Sequence, residues 1–256
     1  MVDLGLAGSR VLVTGGTSGI GLAVAAAFLQ EGAHVGIIGR DAQRMTAALG
    51  ELEAGRPGGT VVGVVGDVGE EDSLHSAVAD VAGRFGGLDH VVGSAGIAGA
   101  LGQPVDEVSA AEFLEVQRVN VAGSFLLVKA ALPHLRAGTA PTCTLIGSDS
   151  GFVAVPGMLA YNASKGALVQ LTRALSVELH EPFGIRVNSV CPSIVDTPMA
   201  RAGLGVESWA EVGYPVSRPA DIAWLVLSLA SPRSLAVTGV SLLADHGYHA
   251  RSSFPA

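Results

Sequence analysis

The sequence predicts an α/β fold, in which one doubly wound domain spans residues 1–256 and helices cover both faces of a parallel sheet of about seven strands. Strand-like and helix-like segments alternate along the whole chain, which is typical of βαβ units. The strand-like segments are unbroken runs of valine, isoleucine and leucine, as expected of strands buried on both faces. No internal repeat or linker-like segment interrupts the alternation, so we expect a single domain.

The elements follow one another with recognisable boundaries. Gly32 is expected to end a helix, Asp41 to cap the next one, and Ser109 with Glu112 matches a capping box. The predicted strands are Val11–Thr14, His34–Ile38, Thr60–Val65, His90–Gly93, Cys143–Gly147, Ile185–Val190 and Val240–Leu243. The predicted helices are Gly19–Gln30, Asp41–Glu53, Glu70–Phe85, a helix opened by Ser109 that runs past Asn120 and continues to about Leu135, Tyr161–Leu179 and Asp221–Leu229.

The composition excludes several classes of protein. Apolar residues make up 49% of the chain, which rules out disorder as a bulk description. The formal net charge is −8 and the 15 lysines and arginines form no run, so we expect no nucleic-acid partner. Cys143 and Cys191 both lie in apolar strand-like runs, which favours buried, reduced thiols in a cytoplasmic protein.

No signal peptide or membrane segment is predicted. The first ten residues do not combine a basic start with an apolar stretch. The charge-free stretch Val11–Gln30 approaches the ~20 residues of a membrane span, but it contains the turn residues Thr14–Gly19. We therefore interpret it as strand, turn and helix start.

A glycine-rich turn, Thr14–Gly21, joins the first strand to the first helix, with the spacing G-x-x-x-G-x-G. Such a turn lets the backbone approach a pyrophosphate, while the helix N-terminus adds free N–H groups and the positive end of its dipole. The alternative is a tight turn whose glycines only supply positive φ angles. The turn alone does not decide between these two interpretations.

The second strand ends in basic residues where a carboxylate would hold the ribose hydroxyls of NAD(H). Gly39 stands at that position and is followed by Arg40 and, one helical turn later, Arg44. Because a guanidinium binds a 2′-phosphate bidentately, the pattern favours NADP(H) as the cofactor. Asp41 keeps NAD(H) open as the alternative, although capping a helix is its more ordinary role. Asp67 is a candidate for the adenine amino group or for a helix cap.

Tyr161 and Lys165 stand four residues apart, which places them on one face of a predicted helix. Ser148 follows the fifth strand, thirteen residues before Tyr161. The chain has only three tyrosines and two lysines, so a tyrosine and a lysine at this spacing are less expected by chance. A surface Tyr/Lys pair remains the alternative.

Taken together, these motifs resemble those of the short-chain dehydrogenase/reductase family over nearly the whole chain. The resemblance implies a Rossmann-type fold and an NAD(P)-dependent oxidoreductase that interconverts a secondary alcohol and a ketone. It also implies a homotetramer or homodimer in which the helices Phe113–Leu135 and Tyr161–Leu179 pair between subunits. The matching parts are Thr14–Gly21, Asn120, Ser148, Tyr161-x-x-x-Lys165 and Cys191–Pro198.

The resemblance implies a role for each catalytic candidate. Tyr161 exchanges a proton with the substrate oxygen, while the Lys165 ammonium favours its phenolate form and hydrogen-bonds the nicotinamide ribose. Ser148 polarises the carbonyl group, and Asn120 supports a water that links Lys165 to solvent. The implied cofactor-binding residues are Gly15, Thr17, Ser18, Gly19, Ile20, Gly21, Arg40, Asp67, Val68, Ala95, Gly96, Tyr161, Lys165, Pro192, Val195 and Thr197.

Two loops depart from the family's pattern. Gly93-Ser94-Ala95-Gly96 stands where the family usually has Asn-Asn-Ala-Gly, and Pro192-Ser193 replaces its usual Pro-Gly. These departures leave open a catalytically silent cofactor-binding protein with a regulatory or scaffold role. Neither removes a group that performs chemistry, so we expect activity.

The region at about residues 193–217 stands where the family binds its substrate. Its part Met199–Ser217 is mainly apolar and partly aromatic, which favours a lipophilic or cyclic alcohol or ketone. The predicted substrate residues are Ser148, Ser150, Phe152, Leu159, Tyr161 and Trp209.

Two further motifs do not predict sites. The segment Gly147–Gly151 resembles the G-x-S-x-G turn of hydrolases, but Asp149 stands at the serine position. His246 and His249 lack a supporting ligand cluster, so no metal site is expected.

Overall fold

The computed structural model describes residues 3–55 and 58–250, which form one seven-stranded parallel sheet with the order β3-β2-β1-β4-β5-β6-β7. The predicted fold is confirmed, and each predicted strand boundary lies within two residues of the observed one. The strands are β1 Arg10–Thr14, β2 His34–Gly39, β3 Val61–Val65, β4 His90–Gly93, β5 Thr142–Ile146, β6 Arg186–Pro192 and β7 Ser241–Ala244.

Eight α-helices flank the sheet within the described ranges, and none of them is both long and apolar enough to cross a membrane. A π-helical turn, Arg118–Ala122, joins the fourth helix to the fifth. The helices are α1 Gly19–Gln30, α2 Ala42–Gly55, α3 Glu71–Phe85, α4 Ala110–Gln117, α5 Gly123–Leu135, α6 Leu159–Phe183, α7 Pro198–Leu204 and α8 Pro219–Ala230.

The helices lie in two layers because successive strand residues point to opposite faces of the sheet. In β1, Val11 and Val13 are buried in the core formed with α1, α2 and α8. Leu12, between them, is buried in the second core with α3, α5 and α6. Both faces of the central strands are therefore covered, which explains their unbroken apolar runs.

The strand order reverses beside β1, which pairs with β2 on one side and with β4 on the other. In open parallel sheets, a crevice forms at such a reversal, outside the carboxyl ends of the strands. The loops after β1, β4, β5 and β6 all emerge at this edge. The topology thus brings together segments that are far apart in the sequence.

The start of α4 differs in part from the predicted capping box. Ser109 Oγ accepts the N–H of Glu112 at 3.2 Å, so Ser109 is the N-cap as predicted. The reciprocal half was wrong, because Glu112 Oε1 accepts the N–H of Ala100 at 2.6 Å. The carboxylate therefore fastens the loop after β4 to α4 instead of closing the cap.

An ion pair ties the opposite, amino-terminal edge of the sheet together. The Asp89 carboxylate accepts hydrogen bonds from the Arg10 side chain at 2.7 and 2.9 Å. It also accepts the backbone N–H groups of Arg10 and Thr139. Asp89 thereby joins β1, the start of β4 and the loop between α5 and β5.

Candidate active site

A cleft of about 980 Å³ lies at the carboxyl edge of the sheet. Its walls come from the turn after β1, the loops after β4, β5 and β6, and the start of α7. Most of the residues predicted for the site lie on these walls. The predicted residues that line the cleft are Gly15, Thr17, Ser18, Gly19, Ile20, Arg40, Val68, Ala95, Gly96, Ser148, Ser150, Tyr161, Lys165, Pro192, Val195 and Thr197.

The glycine turn is held by close backbone contacts. Gly15 has a φ of +67°, and a Cβ atom there would lie 2.8 Å from the backbone nitrogen of Ala95. Gly21 does not line the cleft, because it packs against the turn itself and a Cβ atom there would collide with the carbonyl oxygen of Gly15. The structure confirms the tight turn with its positive φ angle, while the approach of a pyrophosphate to this backbone stays a prediction.

The N-terminus of α1 faces the cleft without a side-chain cap. Ser18 is its N-cap residue but makes no capping hydrogen bond, and the first turn contains no acidic residue. Ser18, Gly19 and Ile20 all line the cleft. The free N–H groups and the positive dipole end make this a fitting place for a phosphate.

The far end of the cleft carries the basic residues that follow β2. Arg40 and Arg44 line it, and Arg40 Nη1 lies 3.7 Å from Asp67 Oδ2. Asp41 Oδ1 accepts the N–H groups of Gln43 and Arg44 at 2.8 and 3.0 Å, which confirms its helix-capping role. Asp67 itself lies outside the cleft lining, where its Oδ1 accepts the N–H of Gly69.

The structure brings Ser148, Tyr161 and Lys165 together in the middle of the cleft. Ser148 follows β5, and the N–H of Ser150 donates to its Oγ at 3.1 Å. Tyr161 and Lys165 project from the first two turns of α6. Lys165 Nζ lies 5.3 Å from the centre of the Tyr161 ring and donates to the carbonyl oxygen of Ile146 at 2.9 Å.

Burial controls the protonation of this group. It raises the pKa of Tyr161 to about 12, with a smaller rise from the charge of Asp149, while the Ser148 hydrogen bond opposes the rise. Burial also lowers the pKa of Lys165 to about 8. The expected lowering of the tyrosine pKa by Lys165 is therefore not what this structure shows. Removal of the phenolate from water dominates this pKa, and Lys165 is not among the groups that shift it, so Tyr161 is a neutral phenol at pH 7.

Asn120 lies in the π-helical turn and outside the cleft lining. Its Oδ1 accepts the N–H of Ile97 at 2.8 Å, and its Nδ2 donates to the Ile97 carbonyl and to Ser164 Oγ, both at 2.9 Å. Its own carbonyl accepts the Ser124 hydroxyl at 2.7 Å. The observed contacts make Asn120 a clamp between the loop after β4 and α6, and its link to a water stays a prediction.

The two unusual loops keep their places on the cleft wall. A Cβ atom at Gly93 would lie 2.9 Å from Leu145 Cδ2, so the neighbouring strand leaves no room for a larger residue. Ser94 donates its N–H to Thr14, and Ser193 donates its N–H to Ala244. Both serines line the cleft. The departures therefore place two serines in the lining of the cleft.

The substrate end matches the prediction only in part. Ser148, Ser150 and Tyr161 line the cleft, but three other predicted residues do not. Phe152 and Leu159 are exposed on the outer surface, at 41% and 44%. The Trp209 ring packs instead against Arg201, whose guanidinium carbon lies 4.9 Å from the centre of the ring. Lining residues missing from the predicted set include Leu101, Val153, Val155, Met158, Tyr248 and Asp149.

These discrepancies have physical causes. Phe152 comes directly after a tight turn at Asp149–Gly151 and Leu159 is the first residue of α6, and both side chains are exposed there instead of lining the cleft. Tyr248 reaches the cleft from the C-terminal segment, where its ring meets that of Tyr214 edge to face at 5.2 Å. No spacing in the sequence predicts the contact between Tyr214 and Tyr248. By contrast, the position of Asp149 directly after Ser148 could have indicated that Asp149 lines the cleft.

The histidines near the C-terminus have structural partners. His249 Nδ1 lies 2.8 Å from Asp245 Oδ2, and His246 Nε2 lies 3.0 Å from Ser217 Oγ. Within the described part of the chain, no three His, Cys, Asp or Glu side chains are arranged to hold a metal ion.

Comparison with known proteins gives matches over nearly the whole chain. A family model described as enoyl-(acyl carrier protein) reductase matches residues 15–249. The 2-(S)-hydroxypropyl-CoM dehydrogenase 3 of Xanthobacter autotrophicus is 37% identical, over 93% of this chain and 95% of its own. The NADP-dependent (R)-specific alcohol dehydrogenase of Lentilactobacillus kefiri is 33% identical, over 96% and 98%.

A solved structure agrees with these sequence matches. The short-chain dehydrogenase of Burkholderia cenocepacia, crystallised in complex with NADP, superposes with a TM-score of 0.84 at 32% identity, over 94% of this chain and 97% of its own. Fold, cleft and relatives lead to one conclusion. The chain belongs to the short-chain dehydrogenase/reductase family of NAD(P)-dependent oxidoreductases, which act on CH–OH groups.

Proposed function

We propose that this oxidoreductase prefers NADP(H) and interconverts a lipophilic or cyclic secondary alcohol and its ketone. The observation that carries the proposal is the convergence of Ser148, Tyr161 and Lys165 in a cleft whose substrate end is mainly apolar. A buried phenol beside a hydroxyl and an ammonium is suited to proton exchange with a substrate oxygen.

The other end of the cleft fits the cofactor. Gly15, Ser18 and Gly19 line this end, where the uncapped α1 N-terminus supplies N–H groups for a pyrophosphate. Arg40 would bind the 2′-phosphate, and the name of the L. kefiri relative supports the same preference. When bound, the nicotinamide supplies hydride transfer at the carbinol carbon. Thr17, Val68, Ala95, Gly96, Pro192, Val195 and Thr197 would form the remaining walls.

The protein's own residues move and hold the proton. In reduction, Tyr161 donates its phenolic proton to the carbonyl oxygen, and its high pKa keeps that proton in place until substrate arrives. Ser148 donates its hydroxyl hydrogen to the same oxygen and orients it. Lys165 stabilises the phenolate that forms, because its Nζ lies close to the ring. In oxidation the proton returns to the phenolate.

Replacing the phenol tests this assignment. We expect Tyr161→Phe to lower kcat by about 10²–10⁴-fold, the usual contribution of a positioned acid. Binding of NADPH, measured by fluorescence titration, should remain within a few-fold of the unchanged protein because the hydroxyl does not hold the phosphates.

Tyr214→Phe is the matched control, since it removes a phenol from the same cleft that donates only to the Asp245 carbonyl, at 2.9 Å. It should lower kcat far less. A Tyr161→Phe protein with nearly normal turnover would contradict the assignment. NADPH binding without turnover of any ketone by the unchanged protein would favour a cofactor-binding regulatory or scaffold role instead.

The proposal extends to assembly and location. We propose a homotetramer or homodimer built through the outer faces of α4, α5 and α6, where Leu114, Phe125 and Val177 are exposed. Leu114 and Phe125 line a shallow groove between α4 and α5 that offers an apolar surface to a second copy.

Cys143 and Cys191 are free and buried, which supports a reducing, cytoplasmic environment.

A further inference from the structure

One buried carboxylate in the cleft takes no part in the proton transfer described above. Asp149 directly follows Ser148, is 9% exposed and lines the cleft. No lysine, arginine or histidine in the described ranges forms an ion pair with it. The cleft that Asp149 lines also carries apolar side chains, including Ile97, Leu101, Val153, Met158, Met199 and Leu204.

The Asp149 carboxylate is poorly supplied with hydrogen-bond donors. Its single side-chain hydrogen bond within the described ranges comes from Ser148 Oγ, at 3.1 Å from Asp149 Oδ1. Hydroxyl donors usually approach a carboxylate to about 2.5–2.7 Å, so this bond is long. Because a buried carboxylate needs donors to offset the loss of water, a ligand that brings one is favoured here.

Ser148 cannot satisfy two acceptors at once. A serine hydroxyl carries one proton, and here the proton is directed at Asp149 while the oxygen accepts the N–H of Ser150 and also meets the Tyr161 hydroxyl. The proposed reaction needs that same proton at the carbonyl oxygen of the substrate. When the hydroxyl turns to a plain ketone, Asp149 therefore loses its donor.

We propose that Asp149 accepts a hydrogen bond from a donor on the carbon next to the reacting carbon, so that the substrates are α-hydroxy or α-amino ketones and the corresponding vicinal alcohols. This donor replaces the Ser148 proton as that proton turns to the carbonyl oxygen. Oxygens on adjacent substrate carbons lie about one hydrogen-bond length apart, which matches the spacing of the Ser148 and Asp149 oxygens. The inference rests on the proposed function, because it assigns the Ser148 proton to the substrate.

A matched series of aryl ketones tests the donor directly. The compounds are acetophenone, 2-methoxyacetophenone, 2-hydroxyacetophenone and 2-aminoacetophenone, in which the number 2 denotes the carbon next to the carbonyl group and not a ring position. They differ only in this α substituent. With NADPH, we expect kcat/KM for the hydroxy ketone to exceed that for the methoxy ketone at least tenfold. The methoxy group has no proton to donate, and plain acetophenone controls for the space that its extra methyl group takes, so a hydroxy ketone preferred over both identifies the hydrogen bond.

Variants at position 149 show whether the carboxylate causes the preference. In Asp149→Ala the hydroxy-to-methoxy ratio of kcat/KM should fall to within about twofold of one. In Asp149→Asn the amide oxygen still accepts, so preference for the hydroxy ketone should partly survive. Any preference for the amino ketone should disappear there, because it depends on the negative charge. The hydroxy and amino ketones, compared in Asp149→Asn, thus distinguish a neutral donor from an ammonium.

A binding measurement keeps the test independent of turnover and of the folding of these variants. The complex of Tyr161→Phe with NADPH should bind 2-hydroxyacetophenone at least tenfold more tightly than the methoxy ketone, by calorimetry. Equal or undetectable binding of both ketones would overturn the inference. An equal fall in kcat for all four ketones in Asp149→Ala would also overturn it, because that result is expected of a residue that only positions Ser148. Loss of the proposed function looks different, since the Tyr161→Phe protein would then keep its turnover.

Discussion

We propose that Arg40 is the side chain on which cofactor choice depends. Its guanidinium lines the cleft beyond β2, with no acidic side chain at Gly39 to hold ribose hydroxyls. A Cβ atom at Gly39 would lie 2.7 Å from Thr17 Cγ2, so the glycine turn itself leaves little room for an acid there. We therefore expect the charge at position 40 to discriminate between NADPH and NADH.

We expect Arg40→Asp to raise the Kd for NADPH at least tenfold while changing the Kd for NADH much less. The 2′-phosphate loses a charged hydrogen bond, usually contributing about 1.5–3 kcal/mol, and meets a negative charge instead. Fluorescence titration with both cofactors measures the ratio.

Arg84→Asp is the control, because Arg84 lies on α3 and, among the residues that the structure describes, forms an ion pair only with Asp80. It should leave the ratio of the two dissociation constants unchanged. Equal weakening of NADPH and NADH in Arg40→Asp would contradict the assignment to the 2′-phosphate.

Single residues were predictable where the chemistry imposes a spacing. The four-residue interval between Tyr161 and Lys165 places both on one helix face, and few other tyrosines or lysines compete with them. Protonation was not predictable, since the pKa of Tyr161 depends on burial created by distant segments. Arg186 was not singled out either, although its buried guanidinium donates to the carbonyls of Leu229, Ala230 and Ser231 at the end of α8.

At the scale of elements, Asp89 joins three segments at the amino-terminal edge of the sheet. Burial alone would raise its pKa, but hydrogen bonds from Arg10 and the N–H of Thr139 outweigh this and lower the pKa to about 2. A carboxylate whose pKa falls on folding stabilises the fold above its ordinary pKa, and the effect disappears as the pH falls toward 2.

We expect Asp89→Asn to lower the free energy of unfolding by about 2 kcal/mol at pH 7, from the size of this pKa change. The difference between variant and unchanged protein should shrink steadily between pH 4 and pH 2, where Asp89 itself becomes protonated. Urea denaturation across this pH range measures both.

Asp80→Asn provides the matched control, because its carboxylate pairs with Arg84 on the exposed face of α3. Its effect on unfolding should be much smaller. A pH-independent loss in Asp89→Asn would assign the stabilisation to packing and not to the ion pair.

Elements were predictable where apolar periodicity is regular. The strands and the helices α1, α3 and α8 lie close to their predicted limits because their buried residues follow one clear pattern. The π-helical turn at Arg118–Ala122 was not predictable, since it continues directly from α4 into α5 and contains no glycine or proline that would mark a break. That turn nevertheless positions Asn120 between the loop after β4 and α6.

At the scale of the whole molecule, the exposed apolar face of α4 and α5 is the proposed contact between subunits. Phe125 and Leu114 are 45% and 63% exposed there. We expect the double substitution Leu114→Glu and Phe125→Glu to reduce the molar mass measured by light scattering to that of a smaller assembly, because like charges would face one another across the contact.

Leu235→Glu serves as the control, since Leu235 is 65% exposed but lies after α8, away from this face. Its molar mass should equal that of the unchanged protein. An unchanged mass in the double variant would contradict the proposed contact, and a monomeric unchanged protein would contradict assembly altogether.

The overall topology was predictable because alternating strands and helices permit few arrangements. Parallel strands need helical crossovers of one hand, and the glycine turn after β1 marks where the strand order reverses. The substrate end was less predictable. It is built from the loop at residues 198–217 and the segment around Tyr248, whose positions depend on tertiary contacts such as the Tyr214–Tyr248 ring pair.

The cleft thus has two halves of different origin. The turns at the carboxyl ends of the strands form one half, and the loop at residues 198–217 with the segment around Tyr248 forms much of the other. Exchanging residues 199–216 for those of a relative would redesign what is reduced while leaving the dinucleotide half untouched. Such modularity lets new specificities arise by loop replacement without rebuilding the catalytic framework.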